Sequence, residues 1–203
     1  MSAHPATAKG RETRERIIHA AAQLVSERGV AGTSLDDVRA RARASKSQLY
    51  HYFTSRDDLM RAVARAASNS VVGGQAELFA QLDTIDGLRA WTDALVTLQQ
   101  TRHARGGCPI GSLAGQLAER DEAARAELAD GLDRWEAAIR DGLERMANRG
   151  ELRHGADPAA LAQRTLAAVQ GGLLLTQIRR DPGQLRTALD GALDAICAAR
   201  NAP

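Results

Sequence analysis

The stretch TSLDDVRARARASKSQLYHYFTSRDDL, from Thr33 to Leu59, contains three helix starts within 27 residues. Each start has a serine followed three residues later by an acid or an amide, the pattern of a capping box: Ser34-x-x-Asp37, Ser45-x-x-Gln48 and Ser55-x-x-Asp58. This spacing leaves room for only about two turns in each of the first two helices. Helices that short are unstable alone, so the segment is predicted to pack as one unit with its neighbours.

The second short helix is predicted to expose hydrogen-bond donors and amphipathic rings, namely Lys46, Ser47, Gln48, Tyr50, His51 and Tyr52. A helix that enters a DNA major groove needs side chains of these kinds. Three consecutive helical residues span about 200° of the helix circumference, so Tyr50, His51 and Tyr52 cannot all be buried. The two tyrosines can alternatively be core aromatics, and Phe53 is predicted to pack on the first helix.

The same stretch resembles the helix-turn-helix of TetR-type transcriptional regulators. The family signature, roughly T-S-hydrophobic-x-x-hydrophobic-A…S-K-x-x-L-Y-x-[HY]-F-x-x-[KR]-x-x-L, is matched at Thr33, Ser34, Val38, Ser45, Lys46, Leu49, Tyr50, Tyr52, Phe53, Arg56 and Leu59. The resemblance extends upstream through RETRERIIHAAAQLVSERG and covers about the first 65 residues. Further on, GCPIGSLAGQLAERD (107–121) and LLLTQIRRDP (173–182) resemble the regulatory half of an LmrA/YxaF-like subgroup.

The resemblance implies a DNA-binding surface of nine residues: Thr33, Ser45, Lys46, Ser47, Gln48, Tyr50, His51, Tyr52 and Arg56. By this resemblance, Tyr50, His51 and Tyr52 are expected to contact phosphates. Thr33 and Arg56 are expected to add phosphate contacts from neighbouring helix starts. Lys46, Ser47 and Gln48 reach base edges. Gln48 has two competing partners, because its amide can close the capping box or hydrogen-bond to adenine. We expect capping in the free protein and base contact in the DNA complex.

The turn between the two short helices departs from the family pattern. Arg43 and Ala44 stand where the family usually has glycine followed by an apolar residue. Arg43 is therefore expected either to adopt a left-handed backbone, at a cost of about 1 kcal/mol, or to belong to a slightly different turn. The second alternative would shift the helix that follows.

Composition and charge agree with an all-α, DNA-binding protein. The 203 residues are 44% apolar and 3% aromatic, proline is scarce, and no window of alternating β-branched residues occurs. Residues 1–65 carry 12 basic and 7 acidic side chains, a local charge of +5, whereas the remainder carries 15 basic and 18 acidic ones. A basic head on a mildly acidic body suits a protein whose N-terminal part meets phosphates.

Hydrophobic periodicity predicts about nine helices. A three-helix DNA-binding head would occupy residues 11–55, behind a disordered tail of residues 1–10, and a ligand-binding and dimerisation body would occupy residues 56–203. Predicted helices run over about 11–28, 56–70, 87–103 and 122–148, and a short one begins at Pro109. Val71-Val72-Gly73-Gly74 predicts a break. Asp157-Pro158 and Asp181-Pro182 are typical of an N-cap followed by proline and would start the last two helices.

The last two helices are predicted to form the dimer interface. LAAVQGGLLLTQI (166–178) is apolar nearly all round, which indicates burial on more than one side, and its adjacent glycines permit close backbone approach. Two apolar C-terminal helices suggest an isologous four-helix interface, which is also where the resemblance puts it. The alternative is an ordinary buried helix inside a monomer.

The body is predicted to enclose an apolar ligand pocket. We expect its lining to come from Trp91, Leu95, Leu113, Leu117, Trp135, Ile139 and Leu174, with Gln99, Gln170 and Gln177 as polar anchors. The same residues can equally be plain core. No cofactor or metal is expected, because His19, His103 and His154 lack metal-type spacing. Cys108, just before a helix start, is either a redox-active thiol or a small buried side chain.

These features predict a homodimeric, ligand-responsive transcriptional regulator, a repressor released from a near-palindromic operator by a small hydrophobic molecule. An unregulated DNA-binding protein is one alternative. The other is a helical-bundle binding protein or enzyme that has lost specific DNA binding. The chain contains neither an apolar N-terminal run typical of a signal peptide nor about 18 consecutive apolar residues, so we expect no membrane partner and a cytoplasmic protein.

Overall fold

The structure, a computed structural model, describes residues 7–201, which form ten α-helices and no β-strand. The helices are α1 Ala8–Arg28, α2 Leu35–Arg41, α3 Lys46–Tyr52, α4 Arg56–Gly73, α5 Ala76–Phe79, α6 Ile85–Thr101, α7 Pro109–Leu117, α8 Glu122–Asn148, α9 Pro158–Arg179 and α10 Gly183–Ala198. The all-α prediction is confirmed. Among these residues, no helix is both long enough and apolar enough to span a membrane.

The helix starts and ends show where local signals were sufficient. α8 has the predicted bounds, and α9 begins after Asp157, whose carboxylate accepts the Ala159 N–H at 2.9 Å. At α10 the helix starts one residue later than predicted, and the Asp181 carboxylate caps Gly183 instead. The predicted break over residues 71–74 falls at its far end, because α4 continues past residue 70 to Gly73. The one-turn α5 carried no sequence signal.

The first helix begins earlier than predicted. Thr7 accepts a hydrogen bond from the Gly10 N–H at 3.1 Å and starts α1 at Ala8 instead of Arg11. Residues 8–10 are therefore helical and do not belong to the predicted disordered tail, of which residues 1–6 lie outside the described part of the chain. At the other end, Gly29 has a φ of 75° and ends α1, as predicted.

Two compact units divide the described chain. The first contains the residues up to Ser70 together with Ser112–Gly131, and the second contains Val71–Gly111 and the residues from Leu132 onward. The predicted domain limits of 11–55 and 56–203 were drawn from consecutive sequence, and these units are not consecutive. The assignment of DNA binding to residues 11–55, and of ligand binding and dimerisation to residues 56–203, stays a prediction.

The first unit has a core formed by the helices of the N-terminal region. Its fully buried side chains include Ile17, Ala21, Leu24, Val38, Leu49, Phe53, Leu59 and Met60. Phe53 packs as predicted, since it is buried and the Arg14 guanidinium lies 5.4 Å above its ring. Each of the short helices α2 and α3 contributes one or two buried anchors to this core, and those anchors hold helices that would not persist alone.

The second unit has its core around two tryptophans and the paired helices α9 and α10. Its buried side chains include Trp91, Trp135, Ile139, Met146, Val169, Leu185, Leu189 and Ile196. Gly172 allows α10 to approach α9 closely, because a Cβ at that position would lie 3.0 Å from the Leu185 Cα atom. The Leu185 N–H also donates to Thr176 Oγ1 at 3.1 Å. Of the two predicted close-approach glycines, Gly172 has this role, whereas Gly171 is exposed.

Candidate functional site

Reciprocal capping boxes hold α2 and α3 at their N-termini, as predicted. Ser34 Oγ accepts the Asp37 N–H at 3.1 Å, and the Asp37 carboxylate accepts the Ser34 N–H at 3.3 Å. Ser45 Oγ accepts the Gln48 N–H at 3.1 Å, and Gln48 Oε1 accepts the Ser45 N–H at 2.9 Å. The starting points of both short helices are therefore set locally.

The third predicted capping box forms with a different partner. Ser55 Oγ accepts the Asp58 N–H at 3.1 Å, which is half of the expected arrangement. The Asp58 carboxylate does not return to Ser55 but accepts the Thr54 N–H, one residue earlier, at 3.0 Å. The start of α4 is therefore capped by Ser55, and the Asp58 carboxylate binds the backbone of Thr54 in the loop between α3 and α4.

Arg43 adopts the left-handed backbone that its position requires, with a φ of 49°. Its N–H donates to the Ala40 carbonyl at 3.2 Å, and the Ala44 N–H donates to the Arg39 carbonyl at 3.0 Å. These two bonds form a Schellman motif, in which glycine is the usual left-handed residue. The family-like turn is thus retained, and Arg43 bears its strain.

We expect Arg43→Gly to raise the free energy of unfolding by roughly 0.5–1 kcal/mol, because glycine adopts positive φ without a Cβ penalty. Chemical denaturation followed by circular dichroism measures the change. Ala40→Gly, at an exposed position inside α2, is the matched control and should destabilise by a similar amount. Destabilisation by both glycines would show that Arg43 is not strained.

The exposed part of α3 presents polar side chains at its N-terminal end. Lys46, Ser47 and Gln48 are exposed, as are Tyr50 and His51, and Tyr50 is 49% exposed. Gln48 Oε1 is engaged in the capping box, as predicted for the protein without DNA. Ser47 Oγ lies 2.9 Å from Ser45 Oγ. The surface is therefore rich in donors and anchored from beneath by Leu49.

Three predicted DNA contacts have other roles in this structure, which corrects their placement. Tyr52 is only 8% exposed, and its ring meets the His51 ring edge-on at a centroid distance of 4.8 Å. Thr33 is 2% exposed and donates its hydroxyl to the Gly29 carbonyl at 2.9 Å. Arg56 is half-buried and donates to the carbonyl groups of Thr33 and Val30. Thr33 and Arg56 therefore hold the α1–α2 loop, and Tyr52 is buried beside His51.

Two structural contacts of the first unit had no sequence signal. Arg16 Nε donates to the Ala42 carbonyl at 2.9 Å and so fixes the turn against α1. Gln116, near the end of α7, accepts the Val30 N–H at 2.7 Å and donates to the Ser112 carbonyl at 3.0 Å. Val30 and Gln116 are 86 residues apart in sequence, so no local pattern could predict the pair.

Ion pairs surround the same unit on its exposed side. Arg41 donates two 2.9 Å hydrogen bonds to Glu27, and this guanidinium holds the pKa of Glu27 below its ordinary value. The hydroxyl and the N–H of Ser34 lower the pKa of Asp37 in the same way. The side chains of Glu27 and Asp37 are 48% and 43% exposed, so water screens these contacts, which orient side chains and add little stability.

Asp121 is the more deeply placed carboxylate, with a side chain that is 11% exposed. It accepts the Ala124 N–H at 3.0 Å at the start of α8, and Arg61 Nε lies 2.9 Å from its Oδ2 atom. Burial acts to raise the pKa of Asp121, but the Ala124 N–H and the Arg61 guanidinium outweigh it and the pKa is lowered.

We expect the stability contributed by Asp121 to be lost in acid. Since its pKa is lowered in the folded state, the contribution is complete above the unfolded value of about 3.9 and disappears as pH falls through the lowered value. Asp121→Asn should cost on the order of 1–2 kcal/mol at pH 7 and flatten the decline of stability below about pH 4. Urea titrations at a series of pH values measure it, with exposed Asp133→Asn as the control. An unchanged acid profile would remove Asp121 from this role.

Comparison with known proteins identifies the chain. Residues 17–63 match the family described as bacterial regulatory proteins, tetR family, and residues 84–192 match the tetracyclin repressor-like, C-terminal domain. The second match alone covers more than half of the chain. The chain belongs to the TetR family.

Individual relatives agree over nearly the whole length. The chain is 29% identical over 185 residues to the uncharacterized HTH-type transcriptional regulator in lacX 3'region of Lactococcus lactis subsp. lactis, which covers 89% of this chain and 91% of the relative. It is 23% identical over 199 residues to the HTH-type transcriptional repressor DhaR of Mycobacterium sp. (strain GP1), with coverages of 90% and 91%. The crystal structure of a TetR transcriptional regulator from Chloroflexus aurantiacus J-10-FL superposes with a TM-score of 0.79 at 27% identity, covering 97% and 100%.

This TetR-family protein is therefore a helix-turn-helix transcriptional regulator, as predicted. Because both matched families and the relatives are regulators, the expectation that it is not an enzyme is also confirmed. The finer assignment to an LmrA/YxaF-like subgroup stays a prediction.

The predicted pocket residues of this TetR-family protein are divided between the two units. Seven belong to the second unit and are buried or half-buried: Trp91, Leu95, Gln99, Trp135, Ile139, Gln170 and Gln177. Leu113 and Leu117 are also buried, but both belong to the first unit. Leu174 is 57% exposed and is wrong as a pocket residue, because it lies on the outer face of α9.

The connection between α6 and α7 is conformationally unusual. His103 and Ala104 have φ values of 51° and 54°, and Gly106 and Gly107 also have positive φ. Arg180 Nη1 donates to the Ala104 carbonyl at 3.0 Å. A Cβ at Gly107 would lie 2.3 Å from Gln177 Oε1, so a larger residue there would displace the Gln177 side chain and would also be strained at a φ of 54°. Non-glycine residues held at positive φ cost about 1–3 kcal/mol each, and such strain is often found near functional sites.

Cys108 follows this connection and is 7% exposed, whereas His103 is exposed. Both cysteines are free thiols. Among residues 7–201, no cluster of three or more histidine, cysteine or acidic side chains could hold a metal ion. The redox role considered for Cys108 stays a prediction.

Proposed function

We propose that this TetR-family regulator binds a near-palindromic operator as a homodimer and represses transcription until a small molecule bound in the second unit releases it. The observation that carries the proposal is the exposed N-terminal end of α3, where Lys46, Ser47 and Gln48 stand on a helix capped and anchored by its neighbours. Side chains at the start of a reading helix reach base edges in the major groove.

The DNA-binding role is assigned to the predicted head, residues 11–55, with the start of α4. Lys46, Ser47 and Gln48 read bases, and Tyr50 and His51 contact phosphates, while Ser45 maintains the cap. Tyr52, Thr33 and Arg56 support the surface from inside. The local charge of +5 over residues 1–65 adds the attraction that all duplexes share.

The homodimer is assigned to α9 and α10 because α9 carries an unburied apolar stripe. Gly171, Leu174, Leu175 and Ile178 follow the spacing i, i+3, i+4, i+7 that puts residues on one helix face. The three large side chains are 57%, 40% and 68% exposed, respectively. An exposed contiguous apolar patch indicates a surface that is covered by a partner. A second copy of the same helices would cover it isologously and set two α3 helices on successive major grooves, about 34 Å apart or a multiple of it.

Repression and release are supported by what the chain resembles and by helix connectivity. The relative DhaR is named a repressor. α4, α7 and α8 each contain residues of both units, so a change that a ligand makes in the second unit has three helices through which to act on the first. If a ligand lowers the affinity of the protein for the operator, the operator must lower the affinity of the protein for the ligand by the same factor. We assign this regulator to the cytoplasm, together with its DNA.

Fluorescence anisotropy tests the proposal, with the DNA upstream of the protein's own gene against a scrambled duplex across a salt series. Selective binding that saturates at two or more chains per site is expected. Equal and weak binding to both duplexes, collapsing as salt rises, would contradict it and favour a protein that has lost specific DNA binding. A thermal-shift screen of small molecules follows, and selective DNA binding without any stabilising ligand would favour an unregulated DNA-binding protein.

A further inference from the structure

The core of the second unit contains polar atoms that the protein itself leaves unpaired. Gln99 is 2% exposed and Trp135 is 1% exposed, yet Gln99 Oε1 and Trp135 Nε1 have no hydrogen-bond partner among the described residues. The buried Nε2 atom of half-buried Gln170 is also unpaired. Native cores contain few such atoms, so three in one unit require an explanation.

The other buried polar groups of this unit are paired, which makes the three atoms exceptional. Trp91 Nε1 donates to Gln75 Oε1 at 2.9 Å. Thr92 and Thr165 donate their hydroxyls to carbonyl groups of their own helices at 2.8 Å, and Thr176 accepts the Leu185 N–H. The fold therefore satisfies polar groups wherever a partner is within reach, and a general shortage of partners does not explain the exceptions.

Gln99 and Gln170 flank the same segment, the strained connection between α6 and α7. The Gln99 carbonyl accepts the Ala104 N–H at 2.8 Å, which places Gln99 at the start of the connection. Gln170 Oε1 lies 3.3 Å from the position of a Cβ on Gly111, in the first turn of α7. Two residues with unpaired side-chain atoms thus adjoin a segment that carries His103 and Ala104 at positive φ. Unpaired polar groups and backbone strain together are typical of a ligand site.

We propose that Gln99, Trp135 and Gln170 form the polar lining of the effector site and select an uncharged ligand with an adjoining acceptor and donor, such as a primary amide or a lactam. The proposal rests on the ligand-responsive function argued above. A ligand carbonyl accepts from Trp135 Nε1 and Gln170 Nε2, and a ligand N–H donates to Gln99 Oε1. Charged molecules are disfavoured because no charged side chain is fully buried among residues 7–201.

A thermal-shift panel tests the ligand class with defined probes at millimolar concentration. Primary amides and lactams of increasing size, from acetamide to naphthamide, are compared with the carboxylate, the amine and the hydrocarbon of each carbon skeleton. We expect some of the amides and lactams to raise the Tm of the protein by at least about 2 °C, and the matching carboxylates, amines and hydrocarbons to have no effect. The proposal would be overturned if no amide or lactam raised the Tm, or if the carboxylates, amines or hydrocarbons raised it more than the amides did.

Gln99→Met tests the lining independently of any probe. Methionine follows the unbranched course of glutamine but removes the unpaired oxygen, so the variant without ligand should have a Tm raised by about 2–8 °C. The same variant should lose the amide-induced shift. Gln100→Met, at the exposed neighbouring position of α6, is the matched control and should change neither quantity. A lowered Tm for Gln99→Met would mean that Gln99 is satisfied in the free protein and would overturn the assignment.

These outcomes separate the ligand class from the wider function. Failure to select the upstream DNA would contradict the proposed repressor without altering the amide comparison. Release from that DNA by a carboxylate or a hydrocarbon, with Gln99→Met as responsive as the unmodified protein, would contradict only the ligand class.

Discussion

We expect the replacement of both Leu174 and Ile178 with glutamate to convert the proposed dimer to a monomer and to weaken operator binding by about a hundredfold or more. The two side chains are 57% and 68% exposed on the outer face of α9. Covering them in a symmetric dimer buries the exposed parts of four large apolar side chains, which contributes roughly 4–8 kcal/mol. Glutamate removes that contribution and brings like charges together at the symmetry axis. Two tethered heads bind an operator far more tightly than one, so the loss extends to DNA.

Light scattering after size-exclusion chromatography measures the mass, and anisotropy measures operator binding. Leu98→Glu is the matched control, since Leu98 is also an exposed leucine of the second unit, at 41%, but lies on α6 away from the stripe. The control should stay dimeric and bind normally. Circular dichroism should give both variants the same helical content, because all three positions are exposed. A dimeric double variant would move the interface to another surface.

Gln48→Ala should weaken operator binding by roughly 30-fold or more while leaving binding to random DNA nearly unchanged. A good bidentate base contact discriminates by about 1–3 kcal/mol, and a dimer makes it twice. The same anisotropy titrations on operator and random duplexes measure both affinities. We expect Tyr50→Phe to remove a proposed phosphate contact instead and so to weaken binding to both duplexes by a similar factor.

Gln48 also closes the capping box of α3 through its Oε1 atom, and the design has to separate the two roles. Gln48→Glu is the control that keeps the cap, because a glutamate oxygen still accepts the Ser45 N–H. It cannot donate to an adenine and should lose operator selectivity while α3 stays capped. Equal losses on operator and random DNA for Gln48→Ala would remove Gln48 from the base-reading set.

Much of the head followed from local sequence because its determinants are short in range. A serine with an acid or amide three residues later starts a helix wherever it occurs, and the capping boxes at Ser34 and Ser45 formed as predicted. The third box formed only in part, since Asp58 found a nearer N–H at Thr54. The left-handed Arg43 was one of two predicted alternatives, and the two bonds of its Schellman motif decided between them.

Burial was less accessible to prediction than helix position. Tyr50 and Tyr52 have similar chemistry and lie two residues apart, yet one is 49% exposed and the other 8%. Leu174 and Leu173 are neighbours of the same type, and only Leu173 is buried, at 4%. Helical geometry makes the two side chains of such a pair point to different sides of the helix. Which of the two is buried depends on what packs against the helix.

Sequence alone determined the all-α class, the approximate positions of the long helices and the TetR resemblance, because capping, periodicity and residue type act over a few positions. Tertiary structure alone decided that Gln116 binds Val30, that Asp121 pairs with Arg61, and that Gln99, Trp135 and Gln170 remain unpaired. The physical reason is distance along the chain. Hydrogen bonds between residues 60 or more positions apart, and the absence of such bonds in a core, exist only after the helices have packed.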